Sequence, residues 1–262
     1  MTRHYHHRYG WIKDDYDPRD RKFSVVRPRA AAPLPPVVDL RQMMPPVDDQ
    51  GNIGACVAHS ITGAAGYLQI KSGKPFQHLS RLFLYYNTRV DEDSVAEDDG
   101  VQIRDAIKSF AGLGLCEESL WPYVESQFAT KPPGPCYEDA TTRQITSYTR
   151  LDNTDINQLH QCLADGYPFV FGVSVYDSFE SETVAGCGIV PMPGPGEHSC
   201  GAHAMCCVGI DAPRNHFIVR NSWGTDWGNR GYCYVPIGYM TSVLLASDFW
   251  TIRAEEDVNV SV

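Results

Sequence analysis

Nine cysteines are spread through the 262 residues, and one of them stands where a thiol becomes a nucleophile. Cys56 ends the run Gln50-Gly51-Asn52-Ile53-Gly54-Ala55-Cys56 and opens a stretch rich in Ala, Ile, Leu and Val. The glycines and Pro45-Pro46 before it read as loop, and the stretch after it reads as a helix to about Gln69, closed by Ser72-Gly73. A thiol on the first helical turn meets the positive end of the helix dipole and unpaired amide N–H groups, and both favour the thiolate. Taken alone, the same stretch also fits a small buried cysteine that packs like alanine. A reactive cysteine needs a base for its proton, a group to orient that base, and donors for a developing oxyanion. His203 in Gly201-Ala202-His203-Ala204-Met205 offers the base, and Asn221, leaving the next strand, offers an amide oxygen to orient it. Gln50 offers a side-chain amide that can join the Cys56 N–H as oxyanion donor. Singly, Asn221 and Gln50 also read as turn residues and His203 as a strand-edge histidine.

The elements that must hold these groups fall into two halves. Helical patterns follow Cys56, run through Ser80 to Tyr86 with Ser80 as cap, and place Ile103, Ala106, Ile107 and Phe110 on one face. Pro122 to about Pro135 reads as loop, and a short helix carries Ile156, Leu159 and Leu163. The period then changes to strands over 169–176, 204–210, 216–220, 231–235 and 249–252. Helices first and strands later give an α+β chain in two lobes, residues 39–150 carrying the nucleophile and 151–262 the base and its orienter. The site then lies in a cleft between them. Residues 1–38 stand apart: a charged, His- and Tyr-rich start, then the extended, Pro-rich Arg27 to Pro36. We expect this segment to lie along the cleft and limit access; the plainer alternative is a strap across the back.

Composition narrows the function classes. A net charge of −10 argues against a nucleic-acid partner, and no stretch has the length of a membrane span. No secretory signal is recognisable at the N-terminus, so the expected location is the cytoplasm, with export by another route left open. The cysteines form no Cys-x-x-Cys pair or zinc spacing and read as reduced thiols. His4, His6 and His7 lack companions for a ligand set, and the acidic run 91–99 lacks calcium-loop spacing and reads as a solvated loop. No metal or cofactor is therefore expected. His59, one turn after Cys56, reads as a core residue, and His198 as exposed.

Three blocks resemble the signatures of papain-like cysteine proteases: Gln50-Gly51 with Gly54-Ala55-Cys56; Gly201-Ala202-His203-Ala204-Met205; and Asn221-Ser222-Trp223-Gly224 with Trp227-Gly228 and Gly231-Tyr232. The resemblance spans roughly 38–252 and is nearest to small bacterial members. It implies the two-lobed fold, with a helical left lobe and an antiparallel β-barrel-like right lobe. It also implies a cysteine endopeptidase acting on peptides or proteins through an acyl-enzyme, here expected as a monomer. By the same resemblance Cys56 is the nucleophile, resting as thiolate beside protonated His203, with Asn221 as orienter and Gln50 as oxyanion donor. Trp223 would shield the Asn221–His203 hydrogen bond, and Gly54 and Gly100 would line the substrate strand. The resemblance further implies an apolar preference two places before the cut; Ser247 and Asp248, just before the final strand, would floor that pocket, where Asp248 would instead admit a basic group. The family usually has a cysteine at Ile53 and an aromatic at Val57, and the partner expected for Cys136 falls on Asn87. A catalytically silent peptide binder and a thiol acyltransferase are the alternatives; the latter more often orients its histidine with aspartate.

Overall fold

The chain enters through β1 (Trp11–Ile12), a single helical turn α1 (Phe23–Val26) and β2 (Val37–Asp39). Residues 8–27 and 33–253 are described in this computed structural model. His4, His6 and His7 therefore lie outside the described residues, as does part of the Pro-rich run. The leading segment is not wholly extended: Phe23 is buried, and the backbone beside it bonds to Arg150 (Arg150 N–H to Arg21 O, 2.8 Å).

Three helices follow: α2 (Cys56–Lys71), α3 (Arg81–Asp91) and α4 (Ile103–Leu113), with the two-residue β3 (Val101–Gln102) leading into α4. Every residue of α2 from Cys56 to Leu68 is buried, so this helix has no solvent face and runs through the middle of the molecule. Ser80 caps α3, its side chain accepting from the Phe83 N–H at 3.1 Å. The acidic stretch after α3 is not a purely solvated loop. Asp98 accepts from the Tyr85 hydroxyl (2.6 Å) and the Gly54 N–H (2.9 Å), which fastens this loop to the approach to Cys56.

After the short α5 (Gly134–Ala140) come β4 (Ser147–Leu151), α6 (Ile156–Ala164), β5 (Phe169–Tyr176), α7 (Glu182–Cys187) and β6 (Ser199–Asp211). The chain ends with β7 (His216–Arg220), β8 (Tyr232–Pro236), α8 (Ile237–Met240) and β9 (Ala246–Arg253). Seven of the strands form one antiparallel sheet, in the order β4-β9-β5-β6-β7-β8 with β2 added to β6, and β1 and β3 make a separate parallel pair. This is the expected α+β class, with an open sheet in place of a closed barrel. Strand β4 was not legible because Ser147-Tyr148-Thr149-Arg150-Leu151 is half polar; pairing with β9 makes it a strand.

All nine cysteines are free thiols. The Cys136 thiol lies beside that of Cys116, and Asn87 instead accepts from the Tyr137 hydroxyl at 3.0 Å. Among the described residues no helix is long and apolar enough to cross a membrane, and no group of three His, Cys, Asp or Glu is placed to hold a metal.

Candidate active site

Cys56 is the first residue of α2, behind Ala55, whose side chain supplies no cap. The open N–H groups of that turn point instead at the sulfur: the N–H groups of Cys56 and Val57 both reach Sγ. The Ala204 N–H also donates to it at 3.4 Å, which sets the thiol against β6 directly beside His203. His203 Nε2 meets Asn221 Oδ1 at 2.7 Å, and the same oxygen accepts from the Ser222 N–H at 2.8 Å. The Trp223 indole stacks on the imidazole, ring centres 4.9 Å apart and planes at 25°, and Trp227 meets Trp223 edge-on. Trp223 is 4% exposed, so water has little access to the His203–Asn221 bond from that side.

Gln50 is held by the same loop that carries Asn221. Its N–H donates to Ser222 O (2.8 Å), its side-chain oxygen accepts from Ser222 Oγ (2.6 Å), and the Gly224 N–H donates to Asp48 O (3.1 Å). Behind this loop Arg220 crosses α2 at Gly63 and donates to the carbonyls of Pro45 (2.8 Å) and Pro46 (2.5 Å). One buried guanidinium thus ties the strand before Asn221 to the loop before Gln50. His59 lies one turn along α2 from Cys56, edge-on to Tyr123. Burial, then Arg81 and Arg220, hold it uncharged, a core role.

The leading segment runs through the middle of this constellation. Gln50 Nε2 donates to the Arg8 carbonyl at 2.9 Å, and the Gly10 N–H reaches the Cys56 sulfur. The Val101 N–H donates to Gly10 O at 3.0 Å, and β1 pairs in parallel with β3. A Cβ on Gly10 would stand 1.9 Å from Gly54 O, and one on Gly100 2.1 Å from Gly10 O. Only glycines at both positions allow backbone to lie this close to backbone. Tyr9 packs edge-on against His203 and tilts toward Trp223, and its hydroxyl bonds to Glu180. Arg8 pairs with Asp98 at 3.0 Å.

Trp11 fills a pocket on the sheet side, flat against Gly172, with its indole N–H donating to Asp248 Oδ2 at 3.2 Å. Asp248 also accepts from the Asp14 N–H (2.7 Å) and pairs with Arg150 (2.7 Å). Asp14 in turn accepts from the Trp250 indole (2.8 Å) and the Arg104 N–H (3.1 Å). Asp248 is thus the polar group that meets the occupant, while Ser247 Oγ is buried with no hydrogen-bond partner among the described residues. Tyr9, Trp11, Asp14, Asp98, Arg150 and Glu180 escaped the sequence reading because their partners are scattered along the chain.

Under this cover Cys56, His203 and Gln50 have no exposed surface. Burial pushes the Cys56 thiol up to about 11 against the four backbone N–H groups that favour its thiolate. Burial thus works against the expected thiolate, and the four N–H groups work for it.

The sequence matches the papain family cysteine protease profile over residues 34–249. An uncharacterized peptidase C1-like protein of Acanthamoeba polyphaga mimivirus is 37% identical over 272 aligned residues, covering 95% of this chain and 88% of that protein. The crystal structure of xylellain, a cysteine protease from Xylella fastidiosa, superposes with a TM-score of 0.86 at 39% identity, over 97% of this chain and 98% of that one. The Carica candamarcensis cysteine protease solved in complex with E-64 shares the fold at 23% identity, with a TM-score of 0.64 over 84% of this chain and 99% of that one. The chain is therefore a member of the papain family of cysteine proteases.

Proposed function

We propose that the protein is an endopeptidase that cuts peptide bonds through Cys56, His203 and Asn221, and that residues 8–14 hold it latent. The observation that carries this reading is the convergence of Cys56 Sγ, the His203–Asn221 pair and the Gln50 amide on a cleft already filled by a peptide segment. Once the segment withdraws, the sulfur regains water and the helix-end N–H groups favour its thiolate, with the proton on His203. The thiolate attacks the scissile carbonyl carbon, and the oxyanion is held by Gln50 Nε2–H and the Cys56 N–H. His203 gives its proton to the leaving amine. It then takes one from the water that cleaves the thioester and frees Cys56. Asn221 keeps the imidazole aimed, and Trp223 keeps water off that hydrogen bond.

The segment is a poor substrate for its own enzyme. An amide N–H of Gly10, not a carbonyl carbon, engages the sulfur, and the carbonyl at Gln50 belongs to Arg8, two residues away. The test is hydrolysis of a fluorogenic peptide by the full chain, by Trp11→Ala and by Cys56→Ala, together with labelling by an epoxysuccinyl peptide. Hydrolysis by the full chain that rises in Trp11→Ala and vanishes in Cys56→Ala supports the reading. No labelling and no turnover by either Cys56-containing protein would establish the silent binder. Transfer of the acyl group to added amine and not to water would establish the acyltransferase.

A further inference from the structure

The pocket under Trp11 has a charged floor whose charges cancel. Asp248 is wholly buried and sits at φ +57° near the start of β9, a backbone conformation that aims its carboxylate inward. One oxygen, Oδ1, is taken by Arg150 Nη2 at 2.7 Å. The other, Oδ2, faces the occupant and accepts two neutral N–H groups, from the Trp11 indole and the Asp14 backbone. Arg150 stands on β4 directly opposite Trp250, with its guanidinium over that indole, so the body of the protein fixes it.

The leading segment adds two more carboxylates to the same guanidinium: Asp14 at 3.5 Å and Asp20 at 3.0 Å. Asp14 leaves with residues 8–14, whereas Asp20 stays beside the moored Arg21 and also pairs with Arg104 at 3.2 Å. What remains is two cations and two anions, Arg150 and Arg104 against Asp248 and Asp20, with Oδ2 stripped of both donors. A lysine or arginine entering this pocket would meet an already paired carboxylate and a guanidinium of its own sign. A phenylalanine would bury Oδ2 without a donor, which is costly for a charged oxygen. A tryptophan fits the flat space over Gly172, where any Cβ would lie 1.9 Å from the ring, and returns the lost N–H.

We propose that this pocket selects substrates bearing an aromatic side chain with a neutral donor, tryptophan first and tyrosine second, and that Arg150 excludes basic residues by neutralising Asp248. The proposal rests on the peptidase reading and names the substrate class of that same site. It departs from the simpler expectation that an aspartate at the pocket floor admits a basic group.

The experiment is a peptide series that differs only two residues before the cut, with Trp, Tyr, Phe, Lys or Arg there. The full chain and Trp11→Ala are both assayed, and kcat/KM ratios are compared. A ratio of two substrates on one enzyme cancels the fraction of enzyme that is open, so latency does not distort it. We expect Trp to exceed Phe and Lys by about tenfold or more each, the usual weight of a hydrogen bond to a charged group. Arg150→Gln leaves Asp248 uncompensated and should raise the Lys-to-Trp ratio about tenfold or more. Asp248→Asn, tolerated at this φ, turns an amide N–H toward the pocket once Arg150 holds its oxygen, and should erase the Trp-over-Phe preference. Lys or Arg preferred by the unaltered pocket, or Phe equal to Trp, overturns the proposal alone. An unchanged Lys-to-Trp ratio in Arg150→Gln overturns the role of Arg150. If no peptide in the series is cut by either protein, the peptidase reading falls and takes this one with it.

Discussion

In the proposed release of residues 8–14, the sulfur of Cys56 is the atom whose surroundings would change most. Covered by Gly10, its thiol is pushed up to about 11 by burial. Of the four backbone N–H groups that point at it, those of Cys56, Val57 and Ala204 stay when Gly10 leaves and become decisive once water returns. Iodoacetamide should therefore alkylate Cys56 slowly at pH 7 in the full chain and fast in Gly10→Val. That substitution forces a side chain into a gap where a Cβ would stand 1.9 Å from Gly54 O, and so lifts the segment without touching the catalytic groups. Mass mapping of the modified peptide reads the result. Equal rates in the two proteins would mean that the cover does not govern the thiol. The catalytic candidates were legible in the sequence at this scale because each stands in a short block with local punctuation: a glycine-rich approach, a strand start, a strand end. Their geometry was not, since the Cys56–Ala204 and Gln50–Arg8 contacts join residues 148 and 42 positions apart.

At the scale of the element, the stretch from Arg8 to Asp14 behaves as an inserted strand. Trp11 is its anchor, and truncating a buried aromatic of this kind costs about 3–5 kcal/mol. Only the closed form bears that cost. Peptide hydrolysis by Trp11→Ala should rise by about tenfold or more over the full chain, and a rise that stops short of this means the closed form was a minority species. The same element carries a pH dependence. Burial first, then Asp248, pushes the Asp14 carboxyl up to about 6, opposed by Trp250, Arg104 and Arg150. Burial pushes Glu180, the partner of Tyr9, up to about 7. A carboxyl raised in the closed form contributes stability that is complete below its ordinary value and is lost as pH rises through the raised one. The latch should therefore weaken between about pH 4 and pH 7. The activity of the full chain divided by that of Trp11→Ala removes the enzyme's intrinsic pH profile, and this quotient should climb across that window. A flat or falling quotient counts against the two carboxyls as latch groups. None of this was readable from composition: Asp14 and Trp11 look like solvent-facing residues of a polar leader until β9 and Arg150 are brought to them.

For the whole molecule, the order of elements was the most legible feature. Helical periods before residue 113 and alternating or apolar strands after residue 169 gave the class, and the buried α2 explains why the two halves pack as they do. What remained hidden was the polar, half-exposed material: β4, the turn α1 and the role of Asp98. These owe their shape to partners and not to their own propensities.

The covering segment is part of the polypeptide it covers. Phe23 is packed into the core, and β2 is zipped onto β6, so under the proposed release of residues 8–14 the leader would stay moored. Release and recapture would then be first-order events, and diluting the protein would not unmask it. A substrate or inhibitor must compete with a tethered strand whose local concentration is on the order of millimolar. Apparent affinities measured on the full chain are weakened by the open fraction, whatever the quality of the ligand. A cut anywhere between Asp15 and Lys22 converts that local concentration into the ordinary bulk one. A single nick in this stretch would thus change latency from a constant property of each molecule into one that fades on dilution.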